Sequence, residues 1–321
     1  GVRQVRWSNG ETGWVISLEA GVITEDAMRY ASRLGLVFAT DPTSAWACTI
    51  GGNIAENAGG KTAVLWCTAI DNLVSFKIAM PDGVLLEVKR LVFHPRRIRE
   101  DDEVIFGLYE ADGTLSETFR LSGRDLRKPG LGKDITNKAL GGVPGLQKEG
   151  VDGIITSAEF VLHRPFPFRR TFCLEFFGDS MEEAAQIIER FGREFVGRPG
   201  AVLMALEHFD EEYVKAVEYR TKAPRGDRPK AVLLMDLVSE EDSELETGEK
   251  RLQALVSGSS TVYCRAAADE AEAERFWSDR KRLGAIAART NAFKLNEDIV
   301  LPLSALPDFT RWVESRNAQE D

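Results

Sequence analysis

Apolar and polar residues alternate with two different periods in the first half of the chain. Residues 14–18 and 154–162 have the character of strands, and residues 74–80 and 84–88 alternate on either side of Pro81-Asp82-Gly83, a turn suited to a hairpin. A second hairpin is predicted around Asp112-Gly113. Between these strands, apolar residues recur on one helical face from a Thr24 cap to a stop at Gly35, which predicts a helix.

The pattern changes after residues 163–167, which contain two prolines. Alternation at residues 172–176 predicts a strand, and Ser180-Met181-Glu182-Glu183 predicts a capping box that opens a helix ending at Gly192. Further elements are predicted as strands at 201–205, 231–237 and 261–265 and helices at 243–256 and 268–289. Two strand-helix-strand units of this kind predict a split β-α-β sandwich with helices on one face of its sheet, so the fold class is α+β.

Composition narrows the class of protein. The chain has 321 residues, 43% of them hydrophobic and 29% charged, so it is long enough for two domains, which we place at 1–165 and 166–321. A formal net charge of −10 argues against nucleic-acid binding, which needs clustered Lys and Arg. No apolar run reaches the roughly 20 residues that span a bilayer, so we expect a cytoplasmic protein whose membrane contact, if it has one, is made through a partner. The four cysteines lack metal-ligand spacing, and we predict no metal site.

The candidate chemistry of the first domain lies in a glycine-rich stretch. Asp41-Pro42-Thr43-Ser44 precedes Thr49-Ile50-Gly51-Gly52-Asn53-Ile54-Ala55-Glu56-Asn57-Ala58-Gly59-Gly60. Adjacent glycines let the backbone approach a ligand closely and expose N–H donors that hold an anion such as pyrophosphate, and Asn53 and Asn57 could add amide hydrogen bonds. On composition alone, a flexible glycine loop explains the stretch as well.

The order of residues distinguishes between these interpretations. The stretch resembles the second FAD-contacting segment of the vanillyl-alcohol-oxidase-like (PCMH-type) flavoproteins, in particular the FAD-linked D-lactate, glycolate and 2-hydroxyglutarate dehydrogenases, in which D-P-x-S precedes T-x-G-G-N and N-A-G-G. Asp71-Asn72-Leu73-Val74 with Pro81-Asp82-Gly83 looks like the family's D-N-V strand and P-D-G hairpin, and residues 149–156 are similar to its E-G-T-L-G-I-I-T segment. The resemblance implies an incomplete FAD-binding domain at 1–165 and a ferredoxin-like cap domain of the FAD-linked oxidase C-terminal type, truncated, at 166–321.

The resemblance also implies noncovalent FAD as the cofactor and assigns its contacts. The first set lies in and before the glycine-rich stretch and comprises Pro42, Thr49, Gly51, Gly52, Asn53, Asn57, Ala58 and Gly59. The second set lies beside the flavin ring, where glycine lets the main chain run along the ring and isoleucine gives an apolar wall. It comprises Gly150, Gly153, Ile154 and Ile155.

Two blocks in the second domain resemble the substrate-binding elements of the family. Residues 276–280 look like its L-W-x-x-R helix, and residues 294–302 look like its K-x-x-x-D-x-x-x-P strand. By this resemblance Trp277, Arg280 and Lys294 bind the substrate, and the planar guanidinium meets its carboxylate with two parallel hydrogen bonds. Without the family, Arg280 is one charge in the solvated run 279–282.

The chain departs from the family pattern at both ends. The family's first FAD lobe would precede Gly1, so we expect weak FAD binding. Its H-x-x-x-G-x-x-x-H block, which carries a metal and a base, would follow the last helix, so we expect the catalytic base outside this chain and the chain alone to be inactive. His94, His163 and His208 lie in no ligand pattern, and Gly284 stands where some relatives place a hydroxyl for a second carboxylate, which weakens the case for a dicarboxylate substrate.

The function implied by the resemblance is that of a module of an FAD-dependent dehydrogenase. We expect it to oxidise a D-2-hydroxy acid to a 2-oxo acid, with hydride transfer to flavin N5 and electrons leaving to an iron–sulfur or quinone-linked partner. Residues 127–134 and 147–150 look like a subgroup of large multidomain proteins in which this flavin module adjoins iron–sulfur segments. Two alternatives stay open: a noncatalytic flavoprotein-like assembly subunit, and an NADPH-dependent reductase of the same FAD superfamily.

Overall fold

A computed structural model describes residues 1–7, 9–93, 95–126, 143–283 and 299–320. The chain divides into two compact units, Gly1–Pro165 and Phe166–Asp321. Among the helices of the described residues, none combines the length and the apolar character needed to span a bilayer.

A seven-stranded antiparallel sheet forms the framework of the first unit, with strand order β1-β2-β7-β3-β4-β5-β6. The strands are β1 Val2–Arg6, β2 Thr12–Glu19, β3 Leu73–Ala79, β4 Leu85–Arg90, β5 Glu103–Glu110, β6 Leu115–Ser122 and β7 Ile154–Leu162. Although β7 is the last of them in sequence, it pairs with both β2 and β3 and so joins the two halves of the sheet.

Local turn chemistry forms both hairpins that the sequence predicts. In the β3–β4 turn Gly83 has φ +87°, and the Asp82 carboxylate accepts from the Val84 N–H at 3.0 Å. The β5–β6 turn repeats the arrangement, with Gly113 at φ +87° and Asp112 accepting from the N–H of the residue two positions later. Glycine suits these positions because residues with a side chain rarely adopt that backbone conformation. Both predictions are confirmed.

Helix α1 (Thr24–Arg33) packs Ala27 and Ala31 into the core of the first unit. Thr24 is the first helical residue, not the cap, and Ile23 occupies the N-cap position without a side-chain bond. The predicted cap is wrong because the Thr24 hydroxyl donates to the Cys48 carbonyl at 3.1 Å. The predicted stop is confirmed, since Gly35 follows the C-cap with φ +70°.

Four short helices complete the described part of the first unit. They are α2 Ile50–Ala55, α3 Ala63–Trp66, α4 Ala69–Asn72 and α5 Gly123–Leu126. Helix α2 forms inside the glycine-rich stretch, where the sequence predicts no helix. Residues 143–153, which precede β7, form no helix or strand.

The second unit is built on a four-stranded antiparallel sheet with order β11-β8-β10-β9. Its strands are β8 Phe168–Phe176, β9 Val202–Phe209, β10 Ala231–Ser239 and β11 Val262–Ala266. Helix α6 (Glu182–Phe195) connects β8 to β9, and α8 (Asp242–Val256) connects β10 to β11. This order and these connections are those of a ferredoxin-like split β-α-β fold, which confirms the prediction.

Helices lie on both faces of this sheet, which differs from the one-face arrangement predicted. Gly248 of α8 approaches Leu237, so α8 lies on the face to which Leu237 points. On the opposite face, the buried cluster around Leu234 and Cys173 includes Phe276 of α9 (Glu270–Ser278) and two residues in and after α7 (Glu211–Ala216), namely Val214 and Val217. The second face matters because the candidate substrate residues approach it.

The predicted capping box of α6 is wrong. The N-cap is Met181 instead of Ser180, and it makes no side-chain cap bond. The Glu183 carboxylate, which a capping box would direct back to the N-cap amide, accepts from the hydroxyls of Ser259 and Thr261. The predicted end at Gly192 is also wrong, and the helix continues to Phe195. Gly192 serves packing, since a Cβ there would lie 2.2 Å from a methyl carbon of Leu303.

The helix predicted at 268–289 is interrupted. Helix α9 ends at Ser278, a 3₁₀ helix follows at Asp279–Leu283, and residues 284–289 lie outside the described residues. A second 3₁₀ turn at Leu303–Ala305 leads into α10, Leu306–Glu320, which packs on α6.

Candidate functional site

Helix α2 begins where the glycine-rich stretch turns out of an extended segment. Thr49 is its N-cap, with φ −107° and ψ 159°, and its hydroxyl accepts from the Gly52 N–H at 3.2 Å. The Gly51 N–H donates to the Ala20 carbonyl and the Asn53 N–H donates to the Thr49 carbonyl, both at 2.9 Å. These three amides are therefore bonded within the chain instead of forming the open row of donors that the sequence analysis expected.

Glycine in this stretch is explained by close approach of neighbouring backbone. A Cβ on Gly51 would lie 3.1 Å from the Cβ of Ala20. A Cβ on Gly60 would lie 2.1 Å from the carbonyl oxygen of Asp41, an overlap that no rotamer change relieves. The segment that contains Pro42 is thereby packed against the end of the glycine-rich stretch. The Pro42 carbonyl accepts from the Ala45 N–H at 2.9 Å in a tight turn.

Asn53 is 1% exposed and carries the one feature of α2 that calls for a ligand. Its Nδ2 donates to the Thr24 hydroxyl at 2.8 Å, and that hydroxyl in turn donates to the Cys48 carbonyl, which fixes the orientation of the amide. Within the described residues, the Asn53 Oδ1 is buried and accepts from no donor. A buried carbonyl oxygen of this kind favours a ligand that donates an N–H or O–H.

Asn57 has a structural role. It adopts φ +49°, and its Oδ1 accepts from the Ile70 N–H at 2.9 Å, which ties the glycine-rich stretch to α4. The Ala58 N–H donates to the Asn53 carbonyl at 2.8 Å. The Gly59 and Gly60 amides, by contrast, donate to no acceptor in the described part of the chain. These two N–H groups and the Asn53 carbonyl oxygen match the hydroxyls, amide N–H groups and pyrophosphate oxygens of FAD, so the residues present fit this cofactor.

The second glycine segment meets the first within the same unit. The Gln147 N–H donates to the Ile54 carbonyl at 3.0 Å, and the Glu149 N–H donates to the Ala55 carbonyl at 2.9 Å. Gln147, Glu149 and Gly150 all have positive φ, between +55° and +74°. The C-terminal end of α2 and the start of the residue 149–156 segment are therefore joined by backbone hydrogen bonds.

Gly153 and the two isoleucines that follow it have three different environments. A Cβ on Gly153 would lie 2.7 Å from the Cδ1 of Ile78 and 2.8 Å from the Ala79 carbonyl oxygen, so only glycine fits there. Ile155 packs against the core of the unit, whereas Ile154 is 73% exposed. Ile154 alone of the two presents its side chain outward, where it could serve as an apolar wall.

The D-N pair of the D-N-V strand organises the chain around α4. Asp71 is 2% exposed and accepts from the Thr68 N–H at 3.1 Å and from the Ile98 N–H at 2.9 Å. The Asn72 Nδ2 donates to two carbonyls, so its Oδ1 accepts from His163 Nε2 at 2.7 Å. Burial lowers the pKa of His163 to about 4, so it is neutral at pH 7.

Trp277 is anchored to the sheet of the second unit through a buried carboxylate. Its Nε1–H donates to Asp236 Oδ1 at 2.9 Å, and the Thr171 hydroxyl donates to the same oxygen at 2.6 Å. Asp236 is fully buried on the central strand β10. The last residues of α9 are thereby fixed over the middle of the sheet.

Arg280 lies on the 3₁₀ helix, one residue after the C-cap of α9. Its side chain is 12% exposed, and its Nε donates to Glu207 Oε1 at 2.6 Å. The Tyr213 hydroxyl donates to the main-chain carbonyls of Asp279 and Arg280 at 2.8 and 3.2 Å, and Lys222 Nζ pairs with the Asp279 carboxylate at 3.0 Å. Lys294 lies outside the described residues.

Glu207, Tyr213 and Asp236 are not among the site residues predicted from the sequence. Asp236 had a signal, because it is the only charged residue in the apolar run at 231–238. Glu207 and Tyr213 had none, since they approach Arg280 only when the chain folds. His208, which lies in no ligand pattern in the sequence, is exposed on β9.

Two family models match the chain. A model described as FAD binding domain matches residues 3–89, and a model described as FAD linked oxidases, C-terminal domain, matches residues 172–321. The fold and these matches define a flavin-binding protein with two parts. The chain belongs to the FAD-linked oxidase family, and the matched models identify FAD as its cofactor.

The chain is similar in sequence to glycolate oxidase subunits and to a D-2-hydroxyglutarate dehydrogenase. The chain is 24% identical to the glycolate oxidase subunit GlcD of Bacillus subtilis, over 97% of this chain and 56% of the relative. It is 26% identical to GlcD of Escherichia coli K12, over 89% and 48%, and 21% identical to the mitochondrial D-2-hydroxyglutarate dehydrogenase of Rattus norvegicus, over 94% and 48%. The chain thus spans about half the length of these relatives.

Solved structures share the fold. An alkyldihydroxyacetonephosphate synthase structure is similar with a TM-score of 0.51 and 16% identity, covering 85% of this chain and 42% of that one. Identity this low supports the fold and nothing finer.

Proposed function

We propose that the chain provides the FAD-binding and carboxylate-binding parts of an enzyme that oxidises a D-2-hydroxy acid to a 2-oxo acid. In this reaction the α-carbon gives up a hydride and its hydroxyl gives up a proton, so that a carbon–oxygen double bond forms. Bound FAD would supply the hydride acceptor. Electrons would then leave to an iron–sulfur or quinone-linked partner.

The observation that carries the proposal is the environment of Arg280. The Arg280 side chain is 12% exposed and is held by the Glu207 carboxylate, and Tyr213 fixes the main chain that carries it. The guanidinium is therefore oriented before any substrate arrives. Such a cation suits a carboxylate because the planar fork and the anion match in charge and geometry. Relatives are named for glycolate, D-lactate and D-2-hydroxyglutarate, and each of these compounds is an α-hydroxy carboxylate.

In the first unit, Asn53, Gly59 and Gly60 would hold the cofactor, with Ile154 as the exposed apolar side chain beside the flavin ring. The other residues assigned to the cofactor would shape the segments that carry Asn53, Gly59, Gly60 and Ile154. They are Pro42, Thr49, Gly51, Gly52, Asn57, Ala58, Gly150, Gly153 and Ile155. In the second unit, Trp277 would set the position of α9, while Arg280 and Lys294 would bind the substrate carboxylate.

The test uses the FAD-loaded holoenzyme under anaerobic conditions, with D-lactate, glycolate and D-2-hydroxyglutarate offered separately. Loss of the visible flavin absorbance with one of these acids supports the proposal. Bleaching by NADPH alone would support a reductase, and a flavin that none of these compounds reduces would support an assembly role.

A substitution then tests the carboxylate site. Arg280→Ala should raise KM by roughly 30-fold to 1,000-fold, because removing one member of a buried hydrogen-bonded charge pair costs about 2 to 4 kcal/mol. Arg275→Ala is the matched control, since Arg275 is exposed on α9, five residues before Arg280. An unchanged KM in Arg280→Ala would remove Arg280 from the site.

A further inference from the structure

Arg280 approaches a face of the second-unit sheet that carries two carboxylates on neighbouring strands. Glu207 on β9 is paired with Leu234 on β10, and Asp236 on β10 is paired with Ala205 on β9. Directly paired residues and residues two apart along a strand point to the same face, so Glu207 and Asp236 share a face. Asp236 accepts a hydrogen bond from Trp277, and Glu207 accepts one from Arg280. The two residues of the W-x-x-R block therefore each have their own carboxylate.

The main chain at Arg280 is held independently of Glu207. The Tyr213 hydroxyl donates to the carbonyls of Asp279 and Arg280, and its ring stacks on Phe209 at 4.5 Å between centroids. Burial and the neighbouring carboxylates of Asp279 and Glu207 raise the pKa of Tyr213 to about 12, so the hydroxyl remains a donor at neutral pH. Removing the Glu207 carboxylate would leave these backbone bonds in place, so its effect is confined to the Arg280 side chain.

Glu207 and Asp279 pair with different cations. Lys222 Nζ pairs with Asp279, and both side chains are largely buried, at 18% and 13% exposure. The Glu207 carboxylate is 27% exposed and lies 2.6 Å from the Arg280 Nε, the nitrogen nearest the aliphatic stem. A bond at Nε fixes the plane of the guanidinium, because Nε belongs to the rigid planar group.

We propose that Glu207 is a positioning residue for substrate binding: it orients the Arg280 guanidinium toward the substrate carboxylate without touching the substrate. This inference rests on the proposed function. It predicts that Glu207 acts only through Arg280. It also predicts that the acceptor oxygen of Glu207 matters more than its negative charge, since the oxygen sets the guanidinium plane.

The test measures binding of oxalate, an unreactive dicarboxylate probe for the carboxylate site, to the FAD-loaded holoenzyme by calorimetry, together with KM and kcat for whichever acid reduces the flavin. Glu207→Ala should weaken oxalate binding and raise KM roughly tenfold, as is typical when the partner that orients a binding group is lost, with kcat changed by less than about threefold. Glu207→Gln, which keeps the acceptor oxygen, should recover most of the loss. Glu212→Ala, an exposed carboxylate on α7, is the matched control.

The Arg280→Ala background separates positioning from other roles. In that background Glu207→Ala should change oxalate binding by less than about twofold, because nothing remains for Glu207 to orient. A tenfold effect that persists there, tighter oxalate binding in Glu207→Ala, or a lower melting temperature with unchanged binding would each overturn the proposal. If the unsubstituted holoenzyme binds no oxalate and is reduced by no hydroxy acid, the proposed function itself fails and the positioning role falls with it.

Discussion

A fully buried carboxylate, Glu175, organises the loop that carries Lys222, and Glu175→Gln should destabilise the second unit. Glu175 is 0% exposed on β8. Its Oε1 accepts from the Tyr219 hydroxyl at 2.8 Å and from the Lys222 N–H at 2.7 Å, and its Oε2 accepts from the Ala223 N–H at 2.7 Å. Burial and the nearby Cys173 and Glu175 raise the pKa of Tyr219, so its hydroxyl donates at all working pH values.

Glutamine has the same shape as glutamate but can supply only one acceptor oxygen. If that oxygen keeps the bonds to Tyr219 and Lys222, the new NH₂ group faces the Ala223 N–H and one bond is lost. A hydrogen bond to a charged group contributes about 1.5 to 3 kcal/mol, and the two retained bonds lose about half their strength when the charge is removed. The lower desolvation cost of a neutral side chain offsets part of this loss. The net change is about 2 to 4 kcal/mol.

Chemical denaturation monitored by hydrogen exchange tests this estimate. A loss of about 2 to 4 kcal/mol corresponds to a fall in melting temperature of roughly 5 to 15 °C for a unit of this size. The amides of Lys222 and Ala223 should lose protection first, because they donate directly to the substituted group. Glu240→Gln, an exposed site after β10, is the control. If the unfolding free energies of the two variants agree within about 0.5 kcal/mol, the buried carboxylate does not hold the loop and the reasoning is refuted.

Two further predictions concern the first unit. The folded pKa of His163 is about 4 and the ordinary value is 6.5, so the unfolded state binds more protons between these values and about 3 kcal/mol of stability is lost as pH falls from 6.5 through 4. His163→Gln, which keeps a donor for Asn72, should remove that part of the pH dependence of unfolding, and an unaltered profile would contradict the assignment. Gly153→Ala should lower the free energy of unfolding by about 1 to 3 kcal/mol in denaturant titrations, because the added Cβ meets Ile78 and the Ala79 carbonyl. Gly21→Ala is the control and should be neutral, since no atom lies within 4 Å of its new Cβ. Equal stability of the two variants would contradict the packing argument.

Elements defined by local chemistry could be predicted from the sequence. Both hairpins follow from an Asp-Gly turn, in which the carboxylate bonds a backbone N–H and glycine takes the positive φ. The ferredoxin-like order of the second unit follows from the sequence of strand and helix periods, because short right-handed connections leave few arrangements of four strands.

Features that depend on contacts between residues far apart in the sequence could not be predicted. The α6 capping box is a local motif, but Glu183 is captured by hydroxyls near residue 260, which are adjacent only in the folded chain. Gly192 resembles a helix stop in sequence, yet its position is set by Leu303 more than 100 residues later. Thr24 fails as a cap for the same reason, since its hydroxyl bonds the Cys48 carbonyl.

The same distinction between local motifs and long-range contacts applies to the candidate site. The order of the glycine blocks led to the FAD-binding family, whose model matches residues 3–89, because each block is contiguous in sequence. The partners that orient Arg280 and Trp277 are invisible to such motifs, because Glu207 and Asp236 come from separate strands and meet the W-x-x-R block only through the register of β9 and β10. A lone Asp inside an apolar strand was the one available signal.

The polar groups left for a ligand in the first unit persist because their neighbours are already bonded. Rotating the Asn53 amide to satisfy its carbonyl oxygen would break the bond to Thr24, whose hydroxyl is committed to the Cys48 carbonyl. An unsatisfied buried acceptor costs the folded state about 1 to 3 kcal/mol. A ligand that donates to this oxygen recovers that cost on binding. In the proposed function that ligand is the cofactor, so cofactor affinity and the stability of the first unit would be linked through the Asn53 Oδ1.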